Sequence, residues 1–398
     1  MKLRKTKKGF TIVELVIVIA VIAILAAILI PTFASLTQKA NVASDQSLKA
    51  NLNTALRMQE AEDGEKNATM HDAVLDLDKQ GFNLERITTK SNLFLLWDED
   101  DNQFVLEDGQ TANHKLWKIV NTPEEAAAEQ NFSVYARQGD AWAGQTVTPH
   151  NGFDAGYNAN ISKVNYTNTP TNPQSGKEVV IRTNGGTLTI NAASDTVNHY
   201  GEGLVLDIQA IAGSSYHEYG HFPKAEIKQG RIVVEDKGQV EILNVTGSGV
   251  VLDQVGSGSV ELCYASSSEN IPTGTAQVEP TVADIEIDDI VARTSFGVFT
   301  SLQNALDDFQ AQGQKLFVVA DITETMDANS GLCLYSKTCD FEIDGQGHII
   351  NASFVVNNTT TKIFFSNEEG KGIIRNTTIN STGIKYVFDV STNGELLL

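Results

Sequence analysis

The run from Phe10 to Ile30 constrains this chain more than any other feature. It holds 21 residues, and from Leu15 to Ile30 none is polar. As a helix it extends roughly 31 Å, enough to cross a hydrocarbon core. Glu14, near its start, breaks the pattern. An unpaired carboxylate there costs about 3 kcal/mol even on the mildest insertion scale, so it needs a partner. Five basic residues, Lys2, Arg4, Lys5, Lys7 and Lys8, precede Gly9 with no acid among them. They predict a leader kept on the cytoplasmic side of a single-pass segment, with everything after Pro31 outside. An ordinary secretory signal has a shorter apolar core and is cut on its far side. Here the small residue, Gly9, lies before the run. A plain membrane anchor accounts for the length and the basic flank, but it gains nothing from Glu14.

Charge narrows the partners. The chain has 398 residues, and beyond the leader it carries 24 basic against 50 acidic ones. A surface that acidic excludes nucleic acid and anionic lipid as partners for the bulk of the protein. The three cysteines, Cys263, Cys333 and Cys339, have no CxxC pair and no His/Cys cluster beside them. They predict no zinc site, and they read as small apolar side chains, with a Cys333–Cys339 bridge as the minority alternative.

The stretch KKGFTIVEL resembles the class III signal of type IV prepilins and pseudopilins. The likeness rests on the basic leader, Gly9, Phe10, the hydroxyl residue Thr11, Glu14 as the fifth residue after the cut, and the apolar run. The resemblance implies that a prepilin peptidase cuts between Gly9 and Phe10 and methylates the new amine. It also implies that Glu14, with Phe10 and Thr11, forms the assembly contact, Glu14 pairing with the amine of a neighbouring subunit. Two charges that are each costly in an apolar bundle then become one neutral pair. Other pilin subunits, an assembly ATPase and a platform protein are the implied partners beside the membrane. Pro31 falls where the family kinks this helix. No cofactor, metal or catalytic residue is implied. Ala20, Ala23 and Ala27 put small residues at helical spacing, which permits close helix approach or reflects composition alone.

After Pro31 the period stays helical but becomes amphipathic, with Leu48, Leu52, Ala55 and Leu56 on one face and Gly64 as the stop. A helix over 10–62 follows, after a leader at 1–9. Residues 63–169 read as a small α+β head similar to those of pilins. MHDAVLDLDKQGF is a short helix, NLFLLWDEDDNQFVL a hairpin, and TPEEAAAEQ a helix capped by Thr122. A linker at 170–176 leads into a β-rich domain at 177–265, where short strands recur about every ten residues, as a sandwich or a solenoid requires. GTLTINA and VEILNVTGSGVVLDQV favour the solenoid. A second linker at 266–290 precedes 291–398, which resembles the start of a right-handed parallel β-helix of the pectate-lyase-like kind. There Leu302, Ala305, Leu306 and Phe309 form a capping helix. The final strand, NGELLL, leads us to expect a truncated chain or a partner over an open solenoid end. The fold class expected is α+β, mostly β.

Other patterns carry less. HEYGH, His217 to His221, matches the H-E-x-x-H zinc-protease pattern, but Gly220 inside it and Pro223 after it predict a short loop, not the required helix. The acidic turn Asp98 to Asn102 lacks the glycine and bidentate Glu of a calcium loop. Asp340, Glu342 and Asp344 alternate as acids on one strand face, with no basic partner at a readable spacing. The N-x-S/T sequons, Asn351 and Asn376 among them, also suit solenoid turns. The function expected is a pilin-like, minor subunit of a surface pilus or secretion pseudopilus, with an adhesive β-rich head and a glycan or cell-surface ligand. A tethered adhesin that never polymerises and a polysaccharide-active enzyme on a pilin anchor are the alternatives.

Overall fold

The computed structural model describes residues 11–64, 66–84, 87–110, 112–137, 142, 146–147, 152–157, 163–164, 179–190, 196–211, 215–308, 315–327, 340–355, 363–382 and 386–398. Gly9, Phe10, the first linker, Phe309, Cys333 and Cys339 lie outside them. The chain divides into two compact units: 1–119 with 130–135, and 120–129 with 136–398.

The first unit is organised by helix α1 (Ile12–Asp63), 52 residues long, closed by Gly64 at φ +77°. Only glycine holds that conformation without strain, so the sequence stop is also the structural one. The C-terminal part of α1 buries Leu52, Ala55 and Leu56 against helix α2 (Met70–Lys79), which contributes Met70, Ala73, Val74 and Leu77. Leu48 packs at the margin. This is the stripe that the helical period predicts. Strands β1 (Phe94–Asp98) and β2 (Gln103–Glu107) form the expected antiparallel hairpin, and β1 also pairs with β3 (Leu116–Val120). Trp97 and Phe104 meet edge-to-face on the core side. In the acidic turn, Asp98 Oδ1 accepts from the backbone N–H groups of Asp100 and Asp101, so the carboxylate serves the turn itself.

Two polar clamps tie α1 to the rest of this unit. Asn53 donates to the Phe104 carbonyl at 2.9 Å and accepts from its N–H at 2.8 Å. Asp45, 1% exposed, accepts from Lys90 N and Ser91 N, both at 2.8 Å, and from Ser91 Oγ at 2.5 Å. Burial alone would raise the Asp45 carboxyl, but these hydrogen bonds outweigh it and hold it below 3.8. Its contribution is therefore complete above that pH and is lost as pH falls through the folded value. We expect Asp45→Ala to destabilise this region by about 1.5–3 kcal/mol, the range for hydrogen bonds to a charged acceptor. Faster amide hydrogen exchange at Lys90 and Ser91, with helix α1 unchanged, is the measurement.

The second unit is a β-solenoid of about six coils. Each coil is two short strands meeting at a corner. One parallel ladder runs through Phe153–Tyr157, Val179–Asn184, Val197–Glu202, Ser215–Glu218, Arg231–Val234 and Val251–Gln254. The other runs through Lys163–Val164, Thr187–Ile190, Val205–Ile208, His221–Ile227, Gln239–Val245 and Ser259–Ala265. The ladders stack like side chains in columns. Ile190, Ile208, Ile227, Val245 and Ala265 form one, each 1% exposed or less. Fully burying each large aliphatic stabilises the stack by about 1.5–3 kcal/mol. Parallel pairing removes the sandwich alternative.

Two stretches differ from the sequence reading. Parallel pairing begins at Thr146–Val147, against Lys163–Val164, and Phe153–Tyr157 opens the first ladder, all inside the region assigned to the head. These strands have two to five residues, with Asp154 and Gly156 among them, too weak a pattern to read. The stretch 266–290, expected as linker, lays Ile285, Ile287 and Ile290 over the outer face of the coils. There they pack with Ile242, Leu262, Tyr264 and Val319 in a second core. Lys224, 5% exposed, donates from Nζ to the Ile290 carbonyl under this cover.

Wider coils follow. Lys315–Val318, Phe341–Asp344, Ile363–Arg375 and Tyr386–Leu397 make one parallel ladder. Ile322–Asp327, Ile349–Val355 and Thr378–Thr382 make another. The helix expected to cap the first coil is present as Leu302–Asp308, and Leu302, Ala305 and Leu306 pack on Leu316, Val318, Ile322, Ile343 and Ile350. Glu324 Oε1 accepts from Leu302 N at this helix's start.

Candidate functional site: the N-terminal helix

Thr11 to Leu36 of α1 is bare. Among the described residues α1 is the one helix long and apolar enough to cross a membrane, and none of its apolar window is buried. Ile12 is 81% exposed, and Phe33 and Leu36, past the proline, remain exposed as well. An apolar face this large signals a membrane or a protein partner.

The structure brings Thr11 and Glu14 together. Thr11 is the N-cap, and its hydroxyl accepts from Glu14 N at 3.3 Å. The Glu14 carboxylate accepts from Thr11 N at 2.9 Å and Thr11 Oγ1 at 2.8 Å. This reciprocal capping box satisfies N–H groups that a helix start otherwise leaves unpaired. It also turns the carboxylate toward the first turn, where the helix dipole favours negative charge. The signal was in the sequence, a hydroxyl residue followed three positions later by Glu.

Pro31 sits within α1, which stays helical on both sides of it. Proline has no N–H to give the Ala27 carbonyl. One residue on, Thr32 Oγ1 donates to the Ile28 carbonyl at 2.8 Å.

The other candidates are structural. HEYGH is not a loop: His217 and Glu218 end one strand and His221 begins the next. Gly220 lies at the corner because a Cβ there would stand 2.1 Å from the Gly201 carbonyl oxygen of the coil below. The motif's side chains do not converge. Glu218, fully buried, takes His199 Nδ1 at 2.8 Å and the Tyr216 hydroxyl at 2.8 Å. His217 pairs with Glu235 at 2.5 Å, and His221 pairs with Glu202 and Glu241. Among the described residues no group of three His, Cys, Asp or Glu could hold a metal ion. Cys263 is buried, and burial pushes its thiol up to about 11.

Two of the three strand-face acids, Glu342 and Asp344, have basic partners, while Asp340 accepts from the Lys371 backbone N–H. Arg375 reaches Glu342 at 2.6 Å and Asp344 at 2.9 Å, and Lys315 reaches Glu342 at 2.8 Å. Both lie on neighbouring coils at distances along the chain that only the coil length reveals. These carboxylates are neutralised in place.

Comparison with known proteins agrees with the helix. Residues 4–30 match the prokaryotic N-terminal methylation motif. The chain is 32% identical over 136 residues to the type IV wide pilus major component PilA4 of Thermus thermophilus, an alignment covering 34% of this chain and 95% of that protein. No solved structure matches significantly. A basic flank, an apolar helix carrying one acid at its capped start, and that relative define the class: this chain belongs to the type IV pilin family.

Proposed function

We propose that the chain is a minor or tip subunit of a type IV pilus or related pseudopilus, carrying a β-solenoid as its interaction head. In this reading prepilin peptidase cuts between Gly9 and Phe10 and methylates the amine. The helix then holds the subunit in the cytoplasmic membrane with its C-terminal bulk outside, until other pilin subunits receive it in a surface filament. Assembly ATPase and platform protein act on it indirectly.

The observation that carries this reading is the bare helix with its single acid. A tether would require only apolar length, whereas Glu14 sits at the helix start, aimed where a neighbour's ammonium group could replace its Thr11 contacts. The minor role is supported by size. The alignment to a major pilus component takes in 34% of this chain, so most of the mass lies beyond it. Mass of that kind at every position of a dense filament would crowd its neighbours. A structural rather than enzymatic head is supported by Glu342 and Asp344, whose carboxylates are occupied by Arg375 and Lys315.

The mass of the mature N-terminal peptide tests the proposal. Expected is a chain beginning at Phe10 with one added methyl group. A chain retaining residues 1–9 when isolated from its native membrane overturns it.

A further inference from the structure

The outer face of the second β-helical ladder carries a regular polar grid. Thr323, Asn351 and Asn380 stand in register across three coils, and Thr325, Ser353 and Thr382 form the next row. Coils are spaced about 4.8 Å apart and the rows about 6.6 Å, so hydroxyls and amides repeat on a flat lattice. The two outer strands hold theirs exposed, and the middle strand holds its own half-buried. Side chains link along the rows. Asn380 Nδ2 donates to Asn351 Oδ1 at 2.8 Å, Asn351 Nδ2 lies 3.4 Å from Thr323 Oγ1, and Thr325 and Ser353 hydroxyls meet at 2.9 Å. Each hydroxyl and amide has further donor or acceptor capacity after those bonds.

Charge identifies the occupant. The chain carries a net −21, yet none of these six residues is ionisable. An anionic polymer would approach an acidic protein and, among the described residues, find no cation on this face. A cationic one would find no carboxylate among these six; Asp321 stands at the margin beside Ile349, its Oδ1 accepting from Ile349 N and meeting His348 Nδ1. A neutral polyhydroxyl chain needs mixed donors and acceptors over an open, flat area, and these two rows supply both. Ile349, on the same outward side of its strand and 38% exposed, adds an apolar contact beside the rows.

We infer that this grid is a binding face for neutral polysaccharide. The inference rests on the reading of the β region as an interaction head, and it gives that head a ligand class and an address. The test uses the full chain in zwitterionic lipid nanodiscs, with insoluble cellulose, chitin and starch as probes and polygalacturonate as the anionic control. Retention on at least one neutral polymer is expected. Asn380→Asp, which puts charge on the grid, and Thr382→Val, which removes a hydroxyl without changing shape, should each lower that retention by about tenfold, one lost contact's worth. Both positions are exposed, and an unchanged melting transition confirms the fold. Retention on none of the neutral polymers overturns the inference, as does equal retention by both variants or a preference for polygalacturonate. None of these readouts requires assembly, so failure here leaves the filament proposal standing, and failure of processing leaves this one.

Discussion

Glu14→Ala should leave the protein in the membrane and remove it from filaments. Insertion itself improves, because a carboxylate leaves the apolar segment. Assembly fails because, in the proposed contact, the incoming subunit's methylated ammonium would then enter an apolar bundle with no counter-charge. Removing one partner of a buried pair costs about 3–5 kcal/mol, which lowers incorporation by roughly two to nearly four orders of magnitude per contact. Glu14→Gln retains hydrogen bonding to Thr11 but not the charge, and should fail nearly as far. Thr11→Ala removes only the capping box, about 1 kcal/mol, and should assemble with reduced yield. Membrane fractionation beside shearing of surface filaments separates these effects. Normal incorporation of the alanine variant would leave a tether as the better account.

The parts of this protein that were legible in its sequence are those built from neighbours in the chain. The α1 stripe through Leu52 and Leu56, the Gly64 stop, the β1–β2 hairpin and the helix at Leu302 all express a local period or a local breaker. The solenoid strands were legible because each is a β-rich run bounded by turn residues. What could not be read is contact between coils. Glu342 meets Arg375, and Glu241 meets Arg293 and Gln346, across 33, 52 and 105 positions. Those separations depend on coil lengths, and the coils change width: the first ladders pair Ile208 with Ile227 and then Val245, whereas the later ones join residues 28 and 29 apart. No fixed repeat predicts partners through such a change. The packed segment around Ile287 was hidden for another reason. Its Pro, Gly, Ser and Thr content before Ala283 resembles a linker, and the few apolar residues that bury it follow immediately after.

The same cross-coil chemistry yields the second large effect. Glu241, 1% exposed, accepts from Arg293 Nε at 2.6 Å, from Gln346 Nε2 at 2.7 Å, and pairs with His221 Nε2 at 2.9 Å. His221 Nδ1 pairs with Glu202 at 2.7 Å. The network joins the narrow coils to the wider ones within the second unit. Glu241→Ala would leave Arg293, 4% exposed, as a buried cation without its counter-charge, at a cost of about 3–5 kcal/mol. Replacing Glu241 and Arg293 together with leucines should recover most of that, since the pair's own desolvation disappears with it. The network also sets a pH window. Burial lowers His221, but its bonds to Glu241 and Glu202 prevail and raise it above 6.5, so its contribution is whole below 6.5 and lost as pH rises through the folded value. Burial raises Glu241, but His221, Arg293 and Gln346 prevail and lower it below 4.5, so its contribution is whole above 4.5 and lost as pH falls through the folded value. The junction should therefore be most resistant to thermal unfolding and proteolysis between pH 4.5 and 6.5. His221→Gln should flatten the alkaline side of that profile and also soften the acid side, since His221 is the first of the groups that hold Glu241 down, with Arg293 and Gln346 keeping the remainder. A wild-type profile without an alkaline decline above pH 6.5 would remove His221 from the account.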